Sequence, residues 1–108
     1  MPDAIQIEPR DLASVQRILA EQVPEYEVWA FGSRARGNAQ KFSDLDLAVV
    51  TRTPLPLDRY LDLRAAFSDS RLPIRVDVVD LAAADAAFRG LIEGEHVVLA
   101  PAGRTTAT

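Results

Sequence analysis

The sequence predicts a small α/β (α+β) domain in which one sheet is packed with helices. Segments with helical spacing of apolar residues alternate with short apolar, β-branched runs, the order expected of helices laid on a sheet. The chain has 108 residues, of which 48% are hydrophobic, enough for one core and one small domain. Its central β-like run, Ser43-Asp44-Leu45-Asp46-Leu47-Ala48-Val49-Val50, is apolar at its end and interrupted by two carboxylates at its beginning. A site is therefore expected on the sheet itself.

Residues 9–22 read as the first helix, with Leu12, Val15, Ile18 and Leu19 at helical spacing. Pro9 suits its first turn, Asp11 lies near its positive end, and Pro24 stops it. Residues 26–31 read as a strand. Gly32-Ser33 turns the chain into a short helix from about Arg34 to Ala39, with Ser33 as its N-cap. Gln40-Lys41-Phe42-Ser43 link to a strand over 44–50. A loop with Pro54 and Pro56 precedes a helix over 57–67. A strand over 74–80 follows, then a helix over 82–93 closed by Gly94, and a last strand over 96–99. Residues 1–100 are expected to form the domain, and 101–108 a disordered tail.

Composition excludes several classes. Net charge is −4, so a sequence-independent grip on nucleic acid is not expected. No cysteine is present, which removes disulfides and thiolate metal sites. No apolar run approaches the ~20 residues of a membrane span, and the start lacks the basic and apolar regions of a signal peptide. The expected compartment is the cytoplasm.

Alternation along a strand places Asp44 and Asp46 on one face and Leu45 and Leu47 on the other. Two carboxylates about 6–7 Å apart repel by roughly 2–3 kcal/mol at an effective dielectric of about 20. A hard divalent cation with oxygen ligands, Mg²⁺ above all and Mn²⁺ as the alternative, converts that cost into a site. The preceding turn suits a phosphate. Gly32 lets the backbone approach a ligand, Ser33 offers a hydroxyl, and Arg34 and Arg36 supply forked donors.

Gly32-Ser33-Arg34-Ala35-Arg36-Gly37 followed by Ser43-Asp44-Leu45-Asp46-Leu47 resembles the signature of the polymerase-β-like nucleotidyltransferase superfamily, and most closely its minimal nucleotidyltransferase branch. The likeness spans roughly residues 10–100 and is most specific over 31–47. An Asp-x-Asp pair alone occurs on exposed strands by chance; beside the Gly-Ser-Arg turn it is specific. The resemblance implies a mixed sheet and a third aspartate on the strand after the intervening helix. Asp77 matches that place. Asp80 has the phase of Ile74, Val76 and Val78, and is expected to cap the following helix. The bland alternatives are a surface salt bridge from Asp77 to Arg75 and exposed helix charge for Arg34 and Arg36. His96 is expected at a strand edge, and Trp29 and Phe31 in the core or a pocket wall.

By resemblance, Asp44 and Asp46 hold two Mg²⁺ ions, and Asp77 binds one of them and takes the acceptor proton. Gly32, Ser33, Arg34 and Arg36 bind the nucleotide. The branch implies transfer of AMP from ATP to a tyrosine of a HEPN-type toxin, for which the chain acts as antitoxin. Larger relatives carry a further domain that presents the acceptor, for which this sequence leaves no residues after about 100, so the acceptor is expected from a homodimer or hetero-oligomer. Two other functions remain open: a binding-only antitoxin, and transfer to a small molecule such as an aminoglycoside.

Overall fold

The computed structural model describes residues 5–37, 39 and 43–103. In order these form α1 (Pro9–Gln22), β1 (Glu27–Phe31), α2 (Ser33–Arg36), β2 (Leu45–Val50), α3 (Leu57–Ser68), β3 (Val76–Asp80), a 3₁₀ turn (Leu81–Ala83), α4 (Ala86–Gly94) and β4 (Val97–Ala100). The expected linker residues 40–42 and tail residues 104–108 lie outside the described residues.

The four strands make one mixed sheet in the order β3-β2-β1-β4. β1 is antiparallel to both β2 and β4, while β2 and β3 run parallel. Parallel neighbours need a crossover, and α3 supplies it. The result is one functional end of the sheet, where β1 finishes and both β2 and β3 begin.

The two faces of the sheet are buried unequally, as the strand phases dictate. Val28, Ala30, Leu45, Leu47, Val49 and Val78 face α1 and α3, packing with Val15, Ile18, Leu19, Leu63 and Phe67 in the main core. On the other face Ala48 packs with Leu81 and Ile92 in a smaller core, flanked by Trp29, Phe31, Val50 and Val79. Asp46 and Asp77 belong to this second face, beyond the part that the small core fills. Both carboxylates stay partly exposed at that end of the sheet.

Asp80 differs from expectation. It does not cap the following helix; α4 starts at Ala86, and Asp85 caps it by accepting from Phe88 N at 2.8 Å. Asp80 is buried instead, accepting from the Thr51 hydroxyl at 2.5 Å and from Leu55 N at 2.6 Å. Thr51 in turn accepts from Ala82 N at 3.1 Å. The proline loop after β2 is thus bolted to the end of β3, which a strand's phase alone cannot reveal. Asp80→Ala strands a buried N–H and a hydroxyl, and is expected to cost about 2–4 kcal/mol in urea unfolding.

Candidate active site

The site is built by register. Phe31 stands opposite Asp46 across β1 and β2, and Asp46 stands beside Asp77 across β2 and β3. In-register neighbours on adjacent strands share a face, so Asp46 and Asp77 lie side by side. Asp44 immediately precedes β2 at the same end. Asp46 carries the consequence in its titration. Its pKa is raised by desolvation first, then by the charges of Asp77 and Asp44, with Arg36 pulling the other way. A carboxylate held in this state is poised to gain from a cation.

Gly32 is what lets Asp46 sit there. Its φ is +80° and ψ −159°, a conformation close to glycine-only. A Cβ on it would lie 2.3 Å from Asp46 Oδ2. The turn therefore passes in direct contact with the carboxylate. The Gly32 carbonyl then accepts from Ala35 N at 3.1 Å and Arg36 N at 3.0 Å, which starts α2. Gly32, not Ser33, is the N-cap; Ser33 is the first helical residue. The helix is a single turn ending at Arg36, shorter than expected, because Gly37 enters the left-handed region at φ +84°.

The two arginines of the turn divide. Arg34 is buried, donating from Nε to Ser43 O at 3.0 Å and from a guanidinium nitrogen to Gln6 O at 2.7 Å. Gln6 closes the other side: its N–H donates to Arg34 O at 2.9 Å and its side-chain oxygen accepts from Ala39 N at 2.9 Å. Arg34 is thus a tie between the segment before α1, the turn and the approach to β2, rather than an open phosphate ligand. Gln6 carried no sequence signal for this task. Arg36 is exposed and near enough to act on Asp46. Arg34→Ala is expected to lower unfolding stability by about 1–3 kcal/mol through the stranded carbonyls. Arg36→Ala should leave it within about 0.5 kcal/mol. Denaturant titrations of both separate the roles.

Asp77 pairs with Arg75, Oδ1 to Nε at 3.3 Å, with both side chains well exposed. The bland alternative for this residue is therefore present, together with its placement beside Asp46. Among the described residues no group of three or more His, Cys, Asp or Glu is arranged to hold a metal ion. The three aspartates share one end of the sheet without forming a closed ligand set.

Trp29 and Phe31 pack at the margin of the smaller core. Trp29 stacks on His96 with centroids 3.7 Å apart, and Phe31 meets Phe88 edge-on at 5.8 Å. His96 Nδ1 donates to Ile92 O at 3.0 Å, which ties it to the end of α4. No helix among the described residues is long and apolar enough to cross a membrane.

Comparison with known proteins bears on this geometry. A family model described as "Polymerase beta, Nucleotidyltransferase" matches residues 14–102. The chain is 46% identical over 95 residues to a probable protein adenylyltransferase MntA of Haemophilus influenzae, covering 88% of this chain and 83% of that protein. It superposes on a crystal structure of a toxin-antitoxin with AMP-PNP at a TM-score of 0.70 and 24% identity, covering 83% of this chain and 73% of that one. A tri-AMPylated Shewanella oneidensis HEPN toxin in complex with its MNT antitoxin matches at a TM-score of 0.64 and 21% identity, covering 88% of this chain and 73% of that one. At these identities the two structures bear on the fold alone.

Proposed function

The chain belongs to the polymerase beta nucleotidyltransferase family, and from that premise we propose that it transfers AMP from ATP to a hydroxyl, a tyrosine in the leading case, of a HEPN-type toxin. It would thereby act as the antitoxin of a cytoplasmic pair. The observation that carries the reading is the register that sets Asp46 between the Phe31-Gly32 turn and Asp77. The similarity to a protein adenylyltransferase supplies the acceptor class. The fold relatives with AMP-PNP and with an AMPylated HEPN toxin name the nucleotide and the partner to test first.

A pair of hard divalent cations, Mg²⁺ or Mn²⁺, fits the donor set. Asp46 is desolvated beside two like charges that Arg36 offsets only in part, and a bound cation would offset the rest. Asp44 and Asp46 would hold both ions and Asp77 one, Asp77 first leaving Arg75. When bound, such a pair neutralises the triphosphate and acidifies the acceptor hydroxyl.

The protein's own groups do the rest. The backbone at Gly32, with the Ser33 hydroxyl and the exposed Arg36, holds the β- and γ-phosphates. Asp77 stands where the acceptor hydroxyl approaches and takes its proton. A bond forms from the acceptor oxygen to the α-phosphorus as the bond from that phosphorus to the bridging oxygen breaks. Pyrophosphate departs with the electron pair. Positioning and charge neutralisation account for most of the acceleration. A phosphodiester-linked AMP near an RNA-cleaving site on the toxin would then repel RNA phosphates.

Intact mass spectrometry of a co-purified HEPN-type partner, incubated with Mg²⁺-ATP, tests the proposal. Added AMP on the partner, absent with the Asp44→Asn, Asp46→Asn variant, is the expected result. An unmodified partner that still binds tightly would instead make this a binding-only antitoxin.

A further inference from the structure

A cleft touches the site from the edge of the sheet. It has a volume of about 470 Å³ and lies between the end of α3 and the start of β3, and Asp77 is part of its wall. The wall also carries Arg64, Ser68, Ser70 and Arg75. Both arginines belong to exposed positions, in a chain whose net charge is −4. The cleft opens at the same end of the sheet as Asp44 and Asp46, because β2 and β3 run parallel. Asp77 is thus common to this cleft and to the site, while none of the turn residues 32–37 lines it.

Charge decides what fits. The carboxylates of Asp44, Asp46 and Asp77 repel an acidic chain unless cations offset them, whereas Arg64 and Arg75 attract one at the outer wall. Arg75 has a further property: it spends its charge on Asp77 across an exposed pair at 3.3 Å. Exposed pairs of this kind are worth only about 0.2–1 kcal/mol, so a competing carboxylate can take Arg75 cheaply. Arg64 is held over the Tyr60 ring at 5.7 Å, and Tyr60 donates its hydroxyl to Val78 O at 3.2 Å. That places a cation at a defined height on the α3 side of the cleft.

We propose that this cleft is the acceptor port: it receives a protein segment whose hydroxyl is flanked by acidic side chains, and the docking segment draws Arg75 away from Asp77. The inference rests on the nucleotidyl-transfer reading and adds to it the chemistry of the acceptor segment. Arg64 and Arg75 act as positioning residues, since neither touches the reacting atoms. In the free protein Arg75 occupies Asp77. In the docked state Asp77 is released for cation and proton, so the site completes itself only when an acceptor is present.

Two fluorescein-labelled peptides test it by anisotropy, one with tyrosine between glutamates and one with tyrosine between lysines, against the full chain with Mg²⁺ and AMP-PNP. The acidic peptide should bind at least about tenfold tighter than the basic one. Arg64→Gln, Arg75→Gln should reduce that ratio to about threefold or less, while Arg52→Gln, an exposed cation beyond the opposite end of β2, leaves it unchanged. Without peptide, Arg75→Gln should tighten Mn²⁺ binding severalfold in a calorimetric titration, because Asp77 is then unpaired. Equal binding of the two peptides overturns the proposal, and so does a preference that survives the double variant or a Mn²⁺ affinity that falls in Arg75→Gln. Arginine-dependent binding of the acidic peptide with no AMP transfer to any acceptor would overturn the enzymatic reading and leave the cleft as a docking site for an acidic segment.

Discussion

Asp46→Asn is expected to abolish nucleotidyl transfer, by at least about 10³-fold in kcat, and at the same time to raise the melting temperature of the metal-free protein. The two effects have one cause. Asp46 is partly desolvated, with Asp77 and Asp44 adding like charge and Arg36 offsetting only part of it. Its pKa in the folded protein therefore lies above its unfolded value. Across that window the folded state binds more protons than the unfolded one, so stability falls as pH rises from the ordinary carboxylate range through the raised value. Near neutral pH the ionised side chain strains the fold, and an uncharged isostere relieves it. Thermal melts across the acidic-to-neutral range should show Asp46→Asn gaining most at the neutral end, where its charge is missing, and least at low pH. An Asp46→Asn protein that melts lower than the parent at neutral pH would mean that the carboxylate is already compensated without a cation.

Gly32→Ala has the second large effect. The backbone at Gly32 has φ +80° and ψ −159°, which costs an L-residue about 1–3 kcal/mol. The added methyl would also sit 2.3 Å from Asp46 Oδ2. The carboxylate is the end of a movable side chain, so it gives way and the backbone suffers less. The expected signature is a moderate loss of stability with a far larger loss of activity, at least about 10²-fold, since a displacement near 1 Å is enough for that. Parallel urea unfolding and AMP-transfer rates check the split. A purely structural glycine would lose both in proportion.

Much of this arrangement was legible in the sequence, for reasons that can be named. Strand phase separates Asp46 and Asp77 from the apolar positions, and the sheet keeps that phase in its register, Asp46 beside Asp77. The helix over residues 9–22 and the strands ending at Phe31 and Val50 also stand where periodicity, proline and glycine put them. Four features were not legible. Asp80 has the same phase as Val76 and Val78, and only the fold shows the Thr51 and Leu55 donors that hold it. The split of residues 82–93 into a 3₁₀ turn and α4 depends on Asp85 capping locally, where the alanine run gives no sign of a break. Arg34 and Arg36 are equivalent as letters, and their fates differ because Arg34 meets the Gln6 and Ser43 carbonyls across distant sequence. Gly32 signals a turn in the sequence, but its contact with Asp46 is a fact of the register between β1 and β2.

If Asp44, Asp46 and Asp77 are the cation ligands of one nucleotide site, metal binding must depend on each of them. Electron paramagnetic resonance of the full chain titrated with Mn²⁺ and AMP-PNP tests it most directly, with Asp46→Asn and Asp77→Asn alongside. The parent should bind two coupled ions, about 4 Å apart. One site should be lost in Asp77→Asn, and both should be lost or severely weakened in Asp46→Asn. Mn²⁺ binding that is the same in the parent and both variants would contradict that assignment.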